Sequence, residues 1–133
     1  MIKGSSARHS AHPLHPLFLD RWSPRAMSGA ALAEAELLSL FEAARWAPSS
    51  GNFQPWRFLY ARRDSDFWPT FMDLLVSGNR AWAEHAGALV LCISLTQHDD
   101  GRPCVTHSYD TGAAWENLSL QAHRATAERR AAE

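Results

Sequence analysis

Cysteine is scarce in this sequence of 133 residues, which contains only Cys92 and Cys104. Cys92 lies in an apolar run and Cys104 in a polar stretch, so the pair has neither the number nor the spacing of a disulfide framework or a zinc site. We therefore expect both residues to be reduced thiols.

The sequence also lacks a long apolar run. The longest one, from Ala86 to Ile93, contains Gly87 and is far too short to span a bilayer. Basic residues among the first ten positions are not followed by an apolar stretch, so they do not have the pattern of a secretory signal. These features predict a cytoplasmic protein without a membrane partner.

Neither sign of charge dominates the composition. The formal net charge is -1 and the pI is about 6.6, so no broad positive field would attract a nucleic-acid phosphate backbone. We expect no nucleic-acid partner. With 46% hydrophobic and 20% charged residues, the composition is that of one soluble domain with an ordinary core.

The two ends of the chain differ in composition from its middle. Residues 1–16 contain few large apolar residues and should form an extended arm outside the core. Residues 124–133 contain no large apolar residue, so this divergent tail can continue a helix but cannot add core. We expect the folded domain to occupy residues 17–123.

Three histidines in the arm are spaced three residues apart, which raises the possibility of a metal site. They are His9, His12 and His15. Pro13 and Pro16 oppose the helix that would bring the imidazoles onto one face, so a solvated tail is favoured and no metal site is expected.

Hydrophobic periodicity predicts an amphipathic helix from Ala33 to Arg45, ended by Pro48. A short strand is expected from Arg57 to Ala61. A second helix follows, with Asp66 as its cap and Pro69 in its first turn. Its predicted buried stripe is Phe71, Leu74 and Leu75, its predicted end is Gly78, and Asn79 is predicted to open a third short helix.

Residues Ala88 to Leu95 are almost all apolar, which is typical of a central strand covered on both faces. From Ser108 to about His123, Ala114, Leu118 and Ala122 recur at four-residue spacing. This pattern predicts a long helix with a small-residue face suited to close packing, which we expect to lie at a dimer interface. Alternation of helices and strands indicates an α/β or α+β fold.

The segment Arg21-Trp22-Ser23-Pro24-Arg25 places two guanidiniums and one hydroxyl at alternating positions. An extended backbone would point all three groups the same way, which suits a phosphate. The alternative is two solvated arginines on either side of a Ser-Pro turn.

A polar loop follows the first amphipathic helix, with the sequence Ala47-Pro48-Ser49-Ser50-Gly51-Asn52-Phe53-Gln54-Pro55-Trp56. Its hydroxyls and carboxamides can hydrogen-bond the edge of a heteroaromatic ring without requiring a charge to be desolvated. The alternative is a proline-bracketed turn whose polar side chains satisfy local backbone groups.

Together with their spacing, these two segments resemble the nitroreductase family of FMN-dependent oxidoreductases over residues 16–123. Three further features match in order: the helix ending at Ala47, the Asn79 and Trp82 segment, and the Tyr109 to His123 helix. The resemblance implies an α+β sandwich in which helices flank a central, mostly antiparallel sheet. It also implies a homodimer with FMN at the interface.

By resemblance, each site residue has an expected role. The residues expected to hold the FMN phosphate are Arg21, Ser23 and Arg25. Those expected to lie against the isoalloxazine ring are Pro48, Ser49, Ser50 and Asn52, with Gln54 as a further candidate and Asn79 at the polar edge of the ring. The flavin would be reduced by NADH or NADPH and reoxidised by a small acceptor such as a nitroaromatic or quinone. No catalytic side chain is expected.

The sequence departs from the family after the long helix. The family continues with a Gly-rich segment, a strand and another basic phosphate contact, and residues 124–133 match none of these. We therefore expect a fold that is incomplete at its C-terminus. The alternative to an active oxidoreductase is an inactive flavin-fold module that acts through dimerisation or partner binding.

Overall fold

A computed structural model describes residues 4–132, with side-chain surroundings for residues 4–127. The helices are α1 (Pro16–Asp20), α2 (Glu34–Arg45), α3 (Trp68–Asp73), α4 (Ser77–Ala83) and α5 (His107–Ala132). The strands are β1 (Trp56–Arg62) and β2 (Ala88–Ser94), and short 3₁₀ turns occur at Gly4–Ser6 and Ser50–Asn52. The fold is α+β, as the sequence predicts.

The predicted amphipathic helix is confirmed as α2. Leu37, Leu40 and Ala44 are buried on one face, and Glu36 Oε2 accepts a hydrogen bond from the Ala33 N–H at 2.8 Å. Acidic groups in this first turn also interact favourably with the positive end of the helix dipole. Both ends of α2 lie within one residue of the predicted bounds, Ala33 and Arg45.

The sheet is antiparallel, with Trp56 opposite Ser94, Leu59 opposite Leu91 and Arg62 opposite Ala88. Aromatic residues of β1 face α2: the Phe41 and Phe58 ring centroids lie 5.4 Å apart, and those of Phe41 and Tyr60 5.5 Å apart. This packing places α2 and α5 together over one face of the sheet, with the core between the layers.

The prediction that β2 is a central strand is wrong for the described residues. It pairs with β1 along one edge only, and all of its residues are at least partly exposed. Ala88, Leu89 and Val90 instead line a depression. A continuous apolar run indicates apolar surroundings, but it does not identify the element that provides them.

The predictions for the second and third helices were partly wrong. Pro69 lies in the first turn of α3, as expected, but Phe67 rather than Asp66 occupies the N-cap, and Leu74 is 60% exposed. Gly78 does not end a helix, since it lies inside α4, which begins at Ser77 before Asn79. Short helices present too few periodic positions to fix their ends.

The small-residue face of α5 packs inside the subunit and not at a dimer interface. Ala114 is fully buried and Leu118 is 6% exposed, both in one cluster with Leu37, Leu40 and Ala44 of α2. Asn117 Nδ2 also donates a hydrogen bond to Ala43 O at 3.2 Å. The expectation that a second subunit covers this face was wrong, because α2 already does so.

The N-terminal residues fold back along α1. The Ser5 N–H donates to Asp20 Oδ1 at 2.7 Å, and Arg8 Nη1 donates to the Leu19 and Arg21 carbonyls at 3.1 and 2.7 Å. His15 is the N-cap of α1, where its Nδ1 accepts from the Leu17 N–H at 3.2 Å. These contacts hold the start of the segment that contains Arg21.

Candidate functional site

The polar loop after α2 is folded mainly by its own side chains. Gly51, Asn52 and Gln54 have φ of 57°, 56° and 55°, in the left-handed region. Ser49 Oγ accepts a hydrogen bond from the Gln54 N–H at 3.0 Å, and Gln54 Nε2 donates to Asn52 Oδ1 at 2.8 Å. This accounts for the loop's polar composition, since Ser and Asn side chains stabilise such turns.

A buried carboxylate on α5 holds the start of this loop. Asp110 is 3% exposed, and its Oδ2 accepts hydrogen bonds from the Ser50 N–H at 3.1 Å and from Thr106 Oγ1 at 2.9 Å. Asp110 is not among the site residues that the sequence predicts. Its position in the first turn of a long helix was visible in the sequence, but its contact with Ser50, sixty residues away, was not.

The arginine segment follows α1 without regular secondary structure. Arg21 is partly buried, and its Nε lies 3.6 Å from Glu116 Oε1 on α5. Arg21 and Ser23 line the same cavity, whereas Arg25 is exposed and is not among the residues that line it. Trp22 and Pro24 line the cavity as well, so the lining shows no alternation of the kind expected for Arg21, Ser23 and Arg25.

This cavity has a volume of about 650 Å³ and lies between the arginine segment, Trp82, β2 and α5. Its walls are mostly apolar and include the indole rings of Trp22, Trp82 and Trp115, with Glu116 and Arg21 as an ion pair at one side. A cavity of this size with few polar groups has the character of a small-molecule site.

The loop residues line a second, smaller depression of about 270 Å³. Asn52 and Gln54 line it together with Arg45, Trp46 and Ala47. Pro48 and Ser50 are exposed, Ser49 is partly buried, and Asn79 is exposed on α4. Arg21 and Ser23 thus share one cavity and Asn52 and Gln54 another, and neither cavity is lined by Asn79.

The clearest shifts in acidity lie outside these cavities. Hydrogen bonds from Arg62 and Arg102 lower the pKa of the Asp64 and Asp100 carboxyls, respectively. Burial in β2 raises the pKa of the Cys92 thiol, so this group stays protonated. In the described part of the chain, none of these three groups is hydrogen-bonded to the polar loop.

Over residues 4–127, the structure contains no cluster of three or more His, Cys, Asp or Glu side chains arranged to hold a metal ion. The same part of the chain has no helix that is long and apolar enough to cross a membrane.

Comparison with known proteins identifies the family. The nitroreductase family model matches residues 19–89. A crystal structure of an oxidoreductase containing FMN is 48% identical, with a TM-score of 0.85 over 92% of this chain and 64% of that one. No curated protein was matched.

Two more distant structures share the fold. One, from Desulfovibrio desulfuricans and described as a nitroreductase in complex with FMN, is 24% identical with a TM-score of 0.69, and the match covers 86% of this chain and 64% of that one. The other, from Clostridium acetobutylicum and described as an NADH oxidase, is 24% identical with a TM-score of 0.63, and the match covers 80% and 61%.

The chain spans less than two thirds of the length of each of these structures. Its α+β layers therefore correspond to part of their fold. The family model covers more than half of the chain, and the 48% identity extends over nearly all of it. On these grounds, the chain belongs to the nitroreductase family.

Proposed function

We propose that this chain binds FMN and is an oxidoreductase that passes electrons from NADH or NADPH to a small acceptor such as a nitroaromatic or a quinone. The observation that carries the proposal is the 48% identity, over 92% of the chain, to an oxidoreductase described as containing FMN. The name of the more distant NADH oxidase agrees with a nicotinamide donor.

The arginine segment fits the phosphate group of FMN. Arg21 and Ser23 share a cavity, and the Arg21 side chain keeps 32% of its surface accessible although it is paired with Glu116. Guanidinium groups form charge-assisted hydrogen bonds with phosphate oxygens. Arg25 is exposed, so its guanidinium is accessible to an anion.

The polar loop fits the edge of the isoalloxazine ring. The bond from Gln54 Nε2 to Asn52 Oδ1 leaves Asn52 Nδ2 and Gln54 Oε1 with hydrogen-bonding capacity for a ligand. Pro48, Ser49 and Ser50 would complete the surface next to the ring. We also propose that Asn79 contacts the polar edge of the ring. It lies on α4, the helix that contains Trp82, and Trp82 lines the larger cavity.

Bound FMN would itself supply the transfer of hydride and electrons, so the chain needs no side-chain nucleophile. The role of the named residues is to bind the phosphate, orient the ring and present fixed hydrogen-bond donors to it. The Asp110 carboxylate accepts hydrogen bonds from Ser50 and Thr106, so it is engaged within the fold.

We further propose a cytoplasmic homodimer with FMN at the interface, built from the domain at residues 17–123 with the arm at 1–16 and the tail at 124–133. Large apolar side chains near the polar loop support an interface there. Trp46 directly precedes the loop and is 77% exposed, and Tyr109, next to Asp110, is 82% exposed. A partner subunit that packed against this surface would remove both side chains from water.

An absorption spectrum of the purified protein tests the proposal. We expect a yellow protein with flavin bands that bleach when NADPH or NADH is added without oxygen and that return when a quinone is added. Free FMN at the same concentration is the control for slow direct reduction. A colourless protein that does not take up added FMN would contradict the proposal and favour a module that acts through dimerisation or partner binding.

A further inference from the structure

The polar loop has a left-handed backbone at three positions, which Gly51 and Asn52 adopt readily but Gln54 does not. Asn52 and Gln54, neither of them glycine, have φ of 56° and 55°, and Gly51 between Ser50 and Asn52 has φ of 57°. Left-handed backbone is unfavourable for residues with a Cβ, so such conformations persist where surrounding contacts fix them.

Some of these contacts come from outside the loop. At one end, the Ser50 N–H donates to Asp110 Oδ2 at 3.1 Å; at the other, Pro55 O accepts from the Leu95 N–H at 2.8 Å. Between them, the Phe53 ring lies 4.0 Å from the His98 ring, centroid to centroid. The contact at Pro55 uses backbone atoms only, whereas the contact at Ser50 depends on one carboxylate.

The Asp110 carboxylate is itself fixed in place. It is buried, and Thr106 Oγ1 donates to the same Oδ2 atom at 2.9 Å, while the Asp110 N–H donates to Thr106 O at 2.9 Å. The side chain therefore has one orientation, with an oxygen directed at the Ser50 amide. A buried charge that is satisfied in this way is costly to replace, because its donors would lose their acceptor.

From this arrangement we infer that Asp110 is the positioning residue of the site: it fixes the Ser50 end of the loop and thereby sets where Ser49, Asn52 and Gln54 meet a bound ring. This inference rests on the proposed function for the identity of the ligand. The control of the loop by Asp110 is independent of the proposed function.

A different role for Asp110 would be purely helical, because a negative charge in the first turn of α5 also interacts favourably with the helix dipole. Glu34 offers a control, since it lies in the first turn of α2 and its Oε1 accepts a hydrogen bond from the Tyr60 hydroxyl on β1, outside the loop. A helical role predicts that Asp110→Asn, like Glu34→Gln, changes overall stability without a change confined to the loop.

Amide hydrogen exchange of the full chain, without flavin, gives the first test. We expect exchange in residues 49–54 to rise by about tenfold in Asp110→Ala and by less in Asp110→Asn, which keeps an acceptor oxygen. Glu34→Gln should leave this segment unchanged. Thr106→Val removes one of the two hydrogen bonds to the Asp110 carboxylate. Its exchange rate in residues 49–54 should lie between those of the parent and Asp110→Ala, and it provides the measurement if Asp110→Ala does not fold.

FMN titration gives the second test. We expect affinity to fall by about tenfold in Asp110→Ala, with a shifted flavin absorption band, partial recovery in Asp110→Asn and no change in Glu34→Gln. Unchanged exchange and unchanged flavin spectra in both Asp110 variants would overturn the inference. If the parent chain binds no FMN, the proposed function fails, while the exchange measurement still decides whether Asp110 controls the loop.

Discussion

The Nε atom of Arg21 lies 3.6 Å from Oε1 of Glu116, so the first arginine of the proposed phosphate site is paired with a carboxylate of α5. Both side chains remain partly accessible, at 32% and 48%. A phosphate that binds Arg21 would share this guanidinium with Glu116 or displace it. The ion pair thus holds the arginine at the cavity and at the same time competes with the proposed ligand.

We therefore expect Glu116→Gln to tighten FMN binding modestly. Exposed ion pairs contribute about 0–1 kcal/mol, which corresponds to at most roughly a fivefold gain in affinity. Flavin titration at low and moderate salt would measure it. Asp64→Asn, which removes a carboxylate from the separate ion pair with Arg62, is the control and should have no effect. Weaker binding in Glu116→Gln would show that the carboxylate positions Arg21 and does not compete for it.

Loss of either arginine should weaken FMN binding more strongly. We expect Arg21→Ala and Arg25→Ala each to cost about 1.5–3 kcal/mol, the typical value of a hydrogen bond to a charged group, with a smaller effect for Ser23→Ala. Arg102→Ala provides the control, because Arg102 is exposed and paired with Asp100 in a different loop. An affinity equal to that of the parent in either variant would show that this arginine does not hold the phosphate.

The elements that were predictable from the sequence are those with long, regular patterns. Both α2 and α5 carry several turns of apolar residues at three- and four-residue spacing. The bounds of α2 are as expected to within one residue, whereas α5 continues beyond His123 to Ala132. The ends of α3 and α4 were not predictable, because Phe67 occupies a cap without a side-chain hydrogen bond and Gly78 is tolerated inside α4. Local signals of this kind are weak when a helix has only two turns.

The candidate site was predictable in composition but not in geometry. The sequence identified the loop by its Ser, Asn and Pro content. It did not reveal the positive φ of Asn52 and Gln54, or the hydrogen bond from Ser50 to Asp110, which joins segments sixty residues apart. The same limit applies to α5: spacing revealed its small-residue face, but not that α2 would cover it.

The packing of α5 against α2 leads to a prediction about stability. Leu118→Ala should lower the free energy of unfolding by about 2–5 kcal/mol, because it removes buried methyl groups from the cluster with Leu37 and Leu40. Ala114→Glu should be more damaging, since it places a charge in the core. Urea denaturation followed by tryptophan fluorescence would measure both effects.

Ala35→Glu is the matched control for this helix pair, because Ala35 is exposed in the first turn of α2, where an acidic residue is favourable. It should unfold like the parent. If Ala114→Glu were as stable as the parent and changed only the oligomeric state, the buried face of α5 would have to be a subunit interface after all.

A pair of glycine substitutions tests how the segment between the arginines and α2 packs on the sheet. A Cβ added to Gly87, just before β2, would lie 2.7 Å from the carbonyl oxygen of Ala30, whereas a Cβ added to Gly78 in α4 would meet nothing within 4 Å. We expect Gly87→Ala to lower the free energy of unfolding by roughly 1–3 kcal/mol through this clash. Gly78→Ala should raise it by up to about 1 kcal/mol, since alanine favours helix. Urea unfolding measures both changes in the free energy of unfolding. Because the two changes should have opposite signs, they distinguish the clash from a general effect of alanine. Equal stability of Gly87→Ala and the parent would mean that the Ala30 carbonyl does not lie against Gly87, and the path of the chain from Arg25 to α2 would then need revision.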